Sequence, residues 1–275
     1  MNAPDDANDL RGFHFRRLLG RPLTWIVVGL FVLAAGVAGA IYLGAAIGAG
    51  AAAAMLLLSL LIVLWIADRR SEAAFFAAYA KQRGMALSGR SEVRAATPLL
   101  CRGSDRYVLH GFTGPLAEDI DGMLALYTYE ETTSTGKGQQ TSYYPYTIGL
   151  VDVPECASLV PELLCQRKFG PRALEGLEDA FRGSRQRVRL ESEALDERFE
   201  IFALEGQDQV WLRRLFSPTF VVWLGEEAPK KFAFELVNGI LCCYVNGHKK
   251  SAAELDAIRT ASAAVARRLR EEASE

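Results

Sequence analysis

The hydrophobic pattern of this chain begins with a long uncharged stretch. From Leu23 through Ala67 there is no Asp, Glu, Lys or Arg. A transmembrane helix needs about 20 consecutive apolar residues to cross roughly 30 Å of hydrocarbon. The stretch is long enough for two such helices, and glycines between residues 44 and 50 provide a turn near its middle. We therefore predict a transmembrane hairpin over 23–67, with spans at about 23–43 and 51–67.

The charges around this stretch predict its orientation. Residues 1–22 form a segment that we expect to be disordered and that turns basic towards the membrane, basic residues also follow the second span, and the tip of the hairpin has no charge. By the positive-inside rule, both termini then lie in the cytoplasm, here of a bacterial inner membrane. Tryptophan favours the headgroup region at the ends of a span. The predicted membrane interface consists of Arg16, Arg17, Arg21, Trp25, Trp65, Arg69 and Arg70.

A cleaved signal peptide is the alternative interpretation of the apolar stretch. A signal has an apolar region of 7–15 residues, which is much shorter than the stretch found here. This stretch also ends in Asp68-Arg69-Arg70, which is typical of a stop-transfer signal. The sequence therefore favours a retained anchor.

After the spans, the pattern of polar and apolar positions predicts a cytoplasmic α+β domain with antiparallel hairpins over 68–275, with a division into two subdomains near 185 as the alternative. Strands are expected where Tyr, Thr, Ile and Val are enriched, and Pro is favoured in a first helical turn. The elements predicted before that division are a helix over 71–83, a strand over 106–112, a hairpin of strands 123–131 and 142–153 with a polar loop 132–141, and helices led by Pro161 and Pro171.

The second half of this domain carries stronger local signals. Asn238-Gly239 between two apolar runs is typical of a two-residue hairpin, and Ser251 with Glu254 forms a capping box before the last helix. The elements predicted here are strands 187–190 and 198–204 around a polar turn 194–197, a helix over 207–215, a short helix led by Pro218, strands 232–237 and 240–245, and a final helix carrying the apolar stripe Leu255, Ile258, Val265 and Leu269.

One part of this pattern resembles a known family. The block Arg187-Val-Arg-Leu-Glu-Ser, the run Arg198-Phe-Glu-Ile-Phe, the helix ending in Leu215-Phe-Ser-Pro and the hairpin after it are similar to the C-terminal part of an uncharacterised bacterial membrane-anchored family. Members of that family similarly carry a hydrophobic hairpin near the N-terminus and a cytoplasmic α+β domain. The resemblance covers mainly 187–275, and it implies an architecture but no chemistry.

Composition excludes several classes of function. The chain has 31 basic and 33 acidic residues, so its net charge of −2 offers no electrostatic attraction for nucleic acid. The five cysteines contain no C-x-x-C pair, so neither a disulfide framework nor a zinc ribbon is predicted, and reduced thiols suit the cytosol. The three histidines are dispersed along the chain. We predict no metal and no other cofactor.

The candidate catalytic groups are the cysteines and histidines. In the Asn238-Gly239 hairpin, Cys243 falls on a uniformly apolar face and Cys242 on a mixed face beside Glu235, whose charge would raise the pKa of that thiol. His248 follows in a turn that we expect to be exposed. Because the sequence shows no recognisable combination of a nucleophile, a general base and a group that orients the base, we predict no catalytic residue.

The polar loop between the two long strands is the candidate binding element. Its Gly136-Lys137 pair does not fit a phosphate-binding loop, because Gly follows the lysine and strands flank it on both sides. A loop of this length carried on a hairpin is a common place for binding, and five tyrosines lie on its flanking strands, most of which we expect to pack. The predicted partner-binding residues are Thr135, Gly136, Lys137, Gly138, Gln139 and Gln140.

These features predict a membrane-anchored cytoplasmic interaction or scaffold module. Its partners would be the lipid bilayer and another protein, not nucleic acid, and the sequence leaves a homo-oligomer open. The alternative is a membrane-tethered enzyme. An enzyme should show a deep pocket with converging ionisable groups, whereas an interaction module should show an exposed strand edge or a protruding loop.

Overall fold

The computed structural model describes residues 22–136, 138–168, 185–189 and 193–274. The chain divides into two compact units. One comprises Met1–Lys81 with Lys250–Ala252, and the other comprises Gln82–Lys249 with Ala253–Glu275. The described part of the first unit is almost wholly helical, and the second contains every strand.

Two helices make up the described part of the first unit. Helix α1 covers Pro22–Leu43 and α2 covers Ala45–Gln82. Gly44 separates them with a φ of +96°, a value that favours glycine because it has no Cβ. The glycines at 48 and 50 were expected to share in this turn, but they lie inside α2. The helix predicted over 71–83 is present as the last part of α2, which continues through Arg70 without a break.

The exposure of α2 changes along its length. Leu57, Leu61 and Trp65 are each more than 60% exposed, whereas Phe75 and Phe76 are buried. An exposed apolar surface of this extent is typical of an interaction site or of a membrane contact. Of the described helices, one meets the length and composition of a membrane span, over Ala49–Gln82, and the apolar helical segment Val28–Tyr42 is shorter.

The second unit is built on one antiparallel sheet of nine strands. The strands are β1 (Ala86–Ser88), β2 (Asp105–Ala117), β3 (Ile120–Thr135), β4 (Gly138–Asp152), β5 (Glu162–Arg167), β6 (Arg185–Val188), β7 (Phe199–Leu204), β8 (Ala233–Val237) and β9 (Ile240–Asn246). Their order across the sheet is β1-β2-β3-β4-β9-β8-β5-β7-β6. The α+β class predicted from the sequence is confirmed, and the sheet includes strands from both sides of residue 185.

Helices cover one face of the sheet, which we call the helix face. They are α3 (Glu193–Arg198), α4 (Gln209–Leu215), α5 (Pro218–Glu226) and α6 (Ala252–Ser274). The apolar stripe of α6 is buried, as predicted. The backbone of β4 approaches α6 so closely that a Cβ on Gly149 would lie 2.1 Å from Ser262 Oγ. From the α4–α5 pair, Phe216 stacks on Phe234 of β8 with ring centroids 6.4 Å apart.

The other face is covered differently. Among the described residues, its cover is an irregular segment containing a 3₁₀ turn at Leu99–Cys101. We call Thr97–Arg102 the strap and the side of the sheet beneath it the strap face. Leu99 and Leu100 of the strap form a buried cluster with Val108, Tyr127 and other strand residues. The strap is short and irregular, so its residues show no helical or strand period in hydrophobicity, and the sequence analysis did not predict it.

Two predicted elements differ from the structure, and a third lies outside the described residues. The helix expected near Pro161 is wrong, because Glu162–Arg167 is strand β5, which pairs with both β7 and β8. Continuous apolar residues in a strand buried on both faces do not alternate, so periodicity cannot separate such a strand from a short helix. The polar turn expected over 194–197 is helix α3 instead. The helix expected at Pro171 lies outside the described residues.

The Asn238-Gly239 hairpin is confirmed. Both residues have positive φ, 48° and 78°, as a type I′ turn requires. The pairing of Phe234 with Cys243 and of Glu235 with Cys242 gives the predicted register. Although the face that carries Glu235 and Cys242 is of mixed polarity in the sequence, both residues are as completely buried as Cys243. The strap covers their face of the sheet.

Candidate interaction surface: the protruding hairpin

The two longest strands extend beyond their neighbours. The pairing of β3 with β2 reaches Glu130, and the pairing of β4 with β9 reaches Tyr146. Beyond these positions, Glu131–Thr135 and Gly138–Tyr144 pair only within the β3–β4 ladder among the described residues, with Tyr143 opposite Glu130 and Tyr144 opposite Tyr129. We call these two segments the arm. Five residue pairs at about 3.4 Å per residue make it about 17 Å long.

The arm corrects the polar loop predicted over 132–141. The ladder continues through Thr132–Thr141 and Ser134–Gln139 to Thr135–Gly138, so most of the expected loop is strand. Of the predicted partner-binding residues, Gly138, Gln139 and Gln140 belong to β4, Thr135 ends β3, Gly136 begins the turn, and Lys137 lies outside the described residues. The hydroxyls of Thr132 and Thr141 are hydrogen-bonded at 3.2 Å. Both faces of the arm meet water, so its strands show no apolar alternation, and the sequence signal was lost.

Stacked tyrosines support the base of the arm on the strap face. The ring of Tyr129 lies 4.8 Å from that of Tyr144 and 5.9 Å from that of Tyr146, in nearly parallel planes. Tyr146 meets Tyr244 of β9 edge-on at 5.9 Å. Aromatic pairs at these spacings contribute about 0.5–1.5 kcal/mol each beyond burial. The expectation that most of the tyrosines pack is confirmed, whereas Tyr143 is 63% exposed on the arm.

A buried carboxylate lies next to this tyrosine stack. Glu235 accepts a hydrogen bond from the backbone N–H of Leu99 at 2.8 Å and one from the Tyr244 hydroxyl at 3.3 Å. The Tyr127 hydroxyl donates to the Leu99 carbonyl at 3.2 Å, so the sheet pairs with both backbone groups of this strap residue. Burial raises the pKa of Glu235, and the Leu99 N–H and the Arg102 charge offset part of that effect. The side chain of Glu235 therefore holds the strap against the sheet by hydrogen bonding.

The strap is also attached at its far end. Arg102 donates from Nη1 to the Tyr129 hydroxyl at 3.4 Å. Burial raises the pKa of both Tyr127 and Tyr146, so these phenols stay protonated at neutral pH and can act as donors. Neither Glu235 nor Arg102 was predicted from the sequence as part of a site. For Glu235, the available signal was a charged residue inside an otherwise apolar strand.

His248 is not in an exposed turn. Its Nε2 lies 3.0 Å from Thr128 Oγ1 and 3.0 Å from the Tyr127 carbonyl, and the residue is half-buried. The imidazole thus connects the segment after β9 to the middle of β3. All five cysteines are free thiols, four of them buried and only Cys101 exposed. Among the described residues, no group of three or more His, Cys, Asp or Glu is placed to hold a metal ion.

The predicted membrane interface is described only in part. Arg16, Arg17 and Arg21 lie outside the described residues. Trp25 and Trp65 are exposed on α1 and α2. The guanidinium of Arg69 lies over the Trp65 ring, 5.5 Å from its centroid, and Arg70 is exposed beside it. A cation and an indole ring one helical turn apart are the two residue types that are enriched near membrane–water interfaces.

An open cleft of about 890 Å³ lies on the strap face at the end of the sheet opposite the arm. Its floor is apolar, with Met123 and Leu150 side by side on β3 and β4. Arg94, Asp121 and Arg270 are among the charged residues at its rim. Glu235, the carboxylate whose pKa is raised, does not line this cleft.

Comparison with known proteins gives little to add to this geometry. No family model and no curated protein matches the chain. One solved structure, the mycobacterial trehalose monomycolate transport factor A, is similar at 11% identity with a TM-score of 0.43. The similarity covers 71% of this chain and 90% of that one. A similarity this slight carries no argument about function.

Proposed function

We propose that this protein is a membrane-anchored interaction module that binds a partner protein through the arm. The observation that carries the proposal is the arm itself, because it extends about 17 Å beyond the sheet with both of its edges open among the described residues. Isolated two-stranded ribbons are marginally stable, so a ribbon supported by a tyrosine stack at its base is suited to presenting an edge to another chain.

The anchor in this proposal is a two-span hairpin formed by α1 and α2, with both termini in the cytoplasm. Its support is the uncharged stretch 23–67, which spans α1 and the first part of α2, together with the turn at Gly44 and the basic residues at both ends of the stretch. A reporter that is active only in the periplasm, fused after Glu275, should remain silent. Strong periplasmic activity would show that the C-terminus lies in the periplasm and would refute the proposed orientation.

Binding fits the described surface better than catalysis does. Glu235 is wholly buried, so a substrate cannot reach its carboxyl group without displacing the strap, and the hydroxyl that donates to it comes from Tyr244, which is half-buried. The cleft of about 890 Å³ lies at the opposite end of the sheet from the arm, and exposed carboxylates and arginines are among the residues that line it. By contrast, Tyr143 offers a large and nearly rigid contact surface on the arm, which suits protein recognition.

Shortening the arm tests the proposal. In the test variant, Asn-Gly replaces residues 132–141, so that a two-residue turn joins the paired residues Glu131 and Ser142. The full chain and this variant are each used for affinity capture from detergent-solubilised membranes. We expect the full chain to retain a partner at least tenfold more efficiently, and the two proteins to melt within a few degrees of each other.

A matched control variant keeps the arm intact and changes the surface of the protein at another place. Thr260→Ala alters an exposed residue on α6, away from the arm, and should leave capture unchanged. If the shortened chain captures the same proteins as the full chain, the arm is not the contact element and the proposal is wrong.

A further inference from the structure

The open edge of the arm on β4 is defined by backbone groups of known direction. The Pro145 carbonyl accepts a hydrogen bond from the N–H of Gly247, so the backbone groups of Pro145 point towards β9. In an antiparallel strand the direction alternates with each residue. The N–H and C=O groups of Gln139, Thr141 and Tyr143 therefore point to the same side, where β9 has already ended at Asn246.

The opposite edge of the arm offers less. The Glu130 carbonyl accepts the N–H of Ser104, so Glu130 marks the residues of β3 that point away from β4. Beyond it only Thr132 and Ser134 have outward backbone groups before the strand ends. The β4 edge is thus the longer template, with three outward residues.

Beyond Pro145, the three outward residues of the β4 edge lack the protection that many exposed edges carry. Natural edge strands avoid pairing by placing Lys, Pro or a bulge on the open side. Gln139, Thr141 and Tyr143 are uncharged, and the β3–β4 ladder runs without a register shift along the whole arm. The nearest acidic residues, Glu130 and Glu131, lie on the other strand.

We infer that this edge pairs with the same edge of a second copy of the chain, in an antiparallel two-fold arrangement centred on Thr141. The inference rests on the proposed function and names the partner of the arm. The register centred there is the one that uses all three outward residues. Thr141 then faces its own copy and Tyr143 faces Gln139 of the partner subunit, which makes about six backbone hydrogen bonds between the copies.

Charge and tethering select this occupant. A two-fold axis brings identical residues together, so an edge with a charge at its centre would repel its copy, whereas Thr141 meets its copy with no like charges. Membrane anchoring would hold both copies in one plane with the same orientation, which raises their effective concentration. The two arms together would form a four-stranded sheet, which closes the β4 edge of both copies.

Cysteine cross-linking of the full chain in liposomes tests the register. The background variant is Cys101→Ala, which removes the exposed native thiol. Thr141→Cys should then form a disulfide with its copy, because directly opposite residues of a hydrogen-bonded pair have Cα atoms about 5.5 Å apart, within the disulfide range. Thr132→Cys is the matched control, since three strand spacings of about 4.8 Å would separate it from its copy. We expect at least tenfold more dimer from Thr141→Cys.

A charge variant gives a second measurement that needs no cross-link. Thr141→Lys places like charges opposite each other at the axis and should convert the detergent-solubilised dimer to a monomer in light scattering. Ser134→Lys, on the other edge, should leave the dimer intact. Unchanged melting temperatures of both variants would show that folding is preserved.

The outcomes separate this inference from the proposed function. A failure of Thr141→Cys to cross-link, or equal cross-linking of Thr141→Cys and Thr132→Cys, overturns the self-pairing. If the shortened arm still loses a captured protein in that case, the proposed interaction function stands and the edge binds a strand of another protein instead. Cross-linking specific to Thr141→Cys, together with dissociation by Thr141→Lys, supports the two-fold pairing.

Discussion

Replacement of Glu235 tests whether the buried carboxylate fastens the strap. In Glu235→Leu, the Leu99 N–H and the Tyr244 hydroxyl both lose the acceptor that they have at 2.8 Å and 3.3 Å. A buried donor without a partner costs about 1–3 kcal/mol. For a domain of this size each kcal/mol lowers Tm by about 2–4 °C, so the buried Leu99 N–H left without an acceptor should by itself lower Tm by about 2–12 °C.

Glu235→Gln separates the hydrogen bonds from the charge. The amide oxygen can still accept from Leu99, while no charge has to be buried. Because burial raises the pKa of Glu235 in the folded state, the stabilising contribution of this carboxyl is fully present below its unfolded pKa, about 4.3, and is lost as the pH rises through the folded value. The difference in Tm between Glu235→Gln and the parent should therefore shift in favour of Gln as the pH rises above about 4.3.

Calorimetry of the full chain in detergent measures both effects, and hydrogen exchange at the Leu99 amide reports the strap directly. Exchange there should speed up in Glu235→Leu and stay slow in Glu235→Gln. Tyr244→Phe is the control, because it removes only the weaker of the two donors. If Glu235→Leu melts with the parent and its Leu99 amide stays protected, the carboxylate does not hold the strap and the reasoning fails.

Three further predictions concern thiols and packing. Cys101 should react with a thiol reagent much faster than Cys243 in the folded protein, because Cys101 is exposed and burial raises the pKa of Cys243. Equal reaction rates would show that Cys243 is accessible to solvent in the folded protein. Ile258→Ala should cost about 2–5 kcal/mol in thermal unfolding, against little change for exposed Thr260→Ala. Gly149→Ala should lower Tm, because its Cβ would lie 2.1 Å from a serine oxygen of α6; an unchanged Tm would mean that the helix can shift away.

Elements with a local physical signal could be predicted from the sequence. The Asn238-Gly239 turn needs only two residues that tolerate positive φ, and the apolar stripe of α6 needs only its own spacing. The candidate membrane span likewise depends on length and composition alone, so it could be read from the sequence without the rest of the fold. These features do not depend on which other segment of the chain lies beside them.

The strap face and the arm were decided by tertiary structure. The sequence placed Glu235 and Cys242 on a mixed face, but only the path of Thr97–Arg102 over that face buries them. The residues of the arm looked like a loop because both of its faces meet water, so no alternation marks a strand. Backbone pairing between two segments of one hairpin leaves no trace in hydrophobicity when neither side is buried, whereas burial of one face imprints a period of two on the sequence.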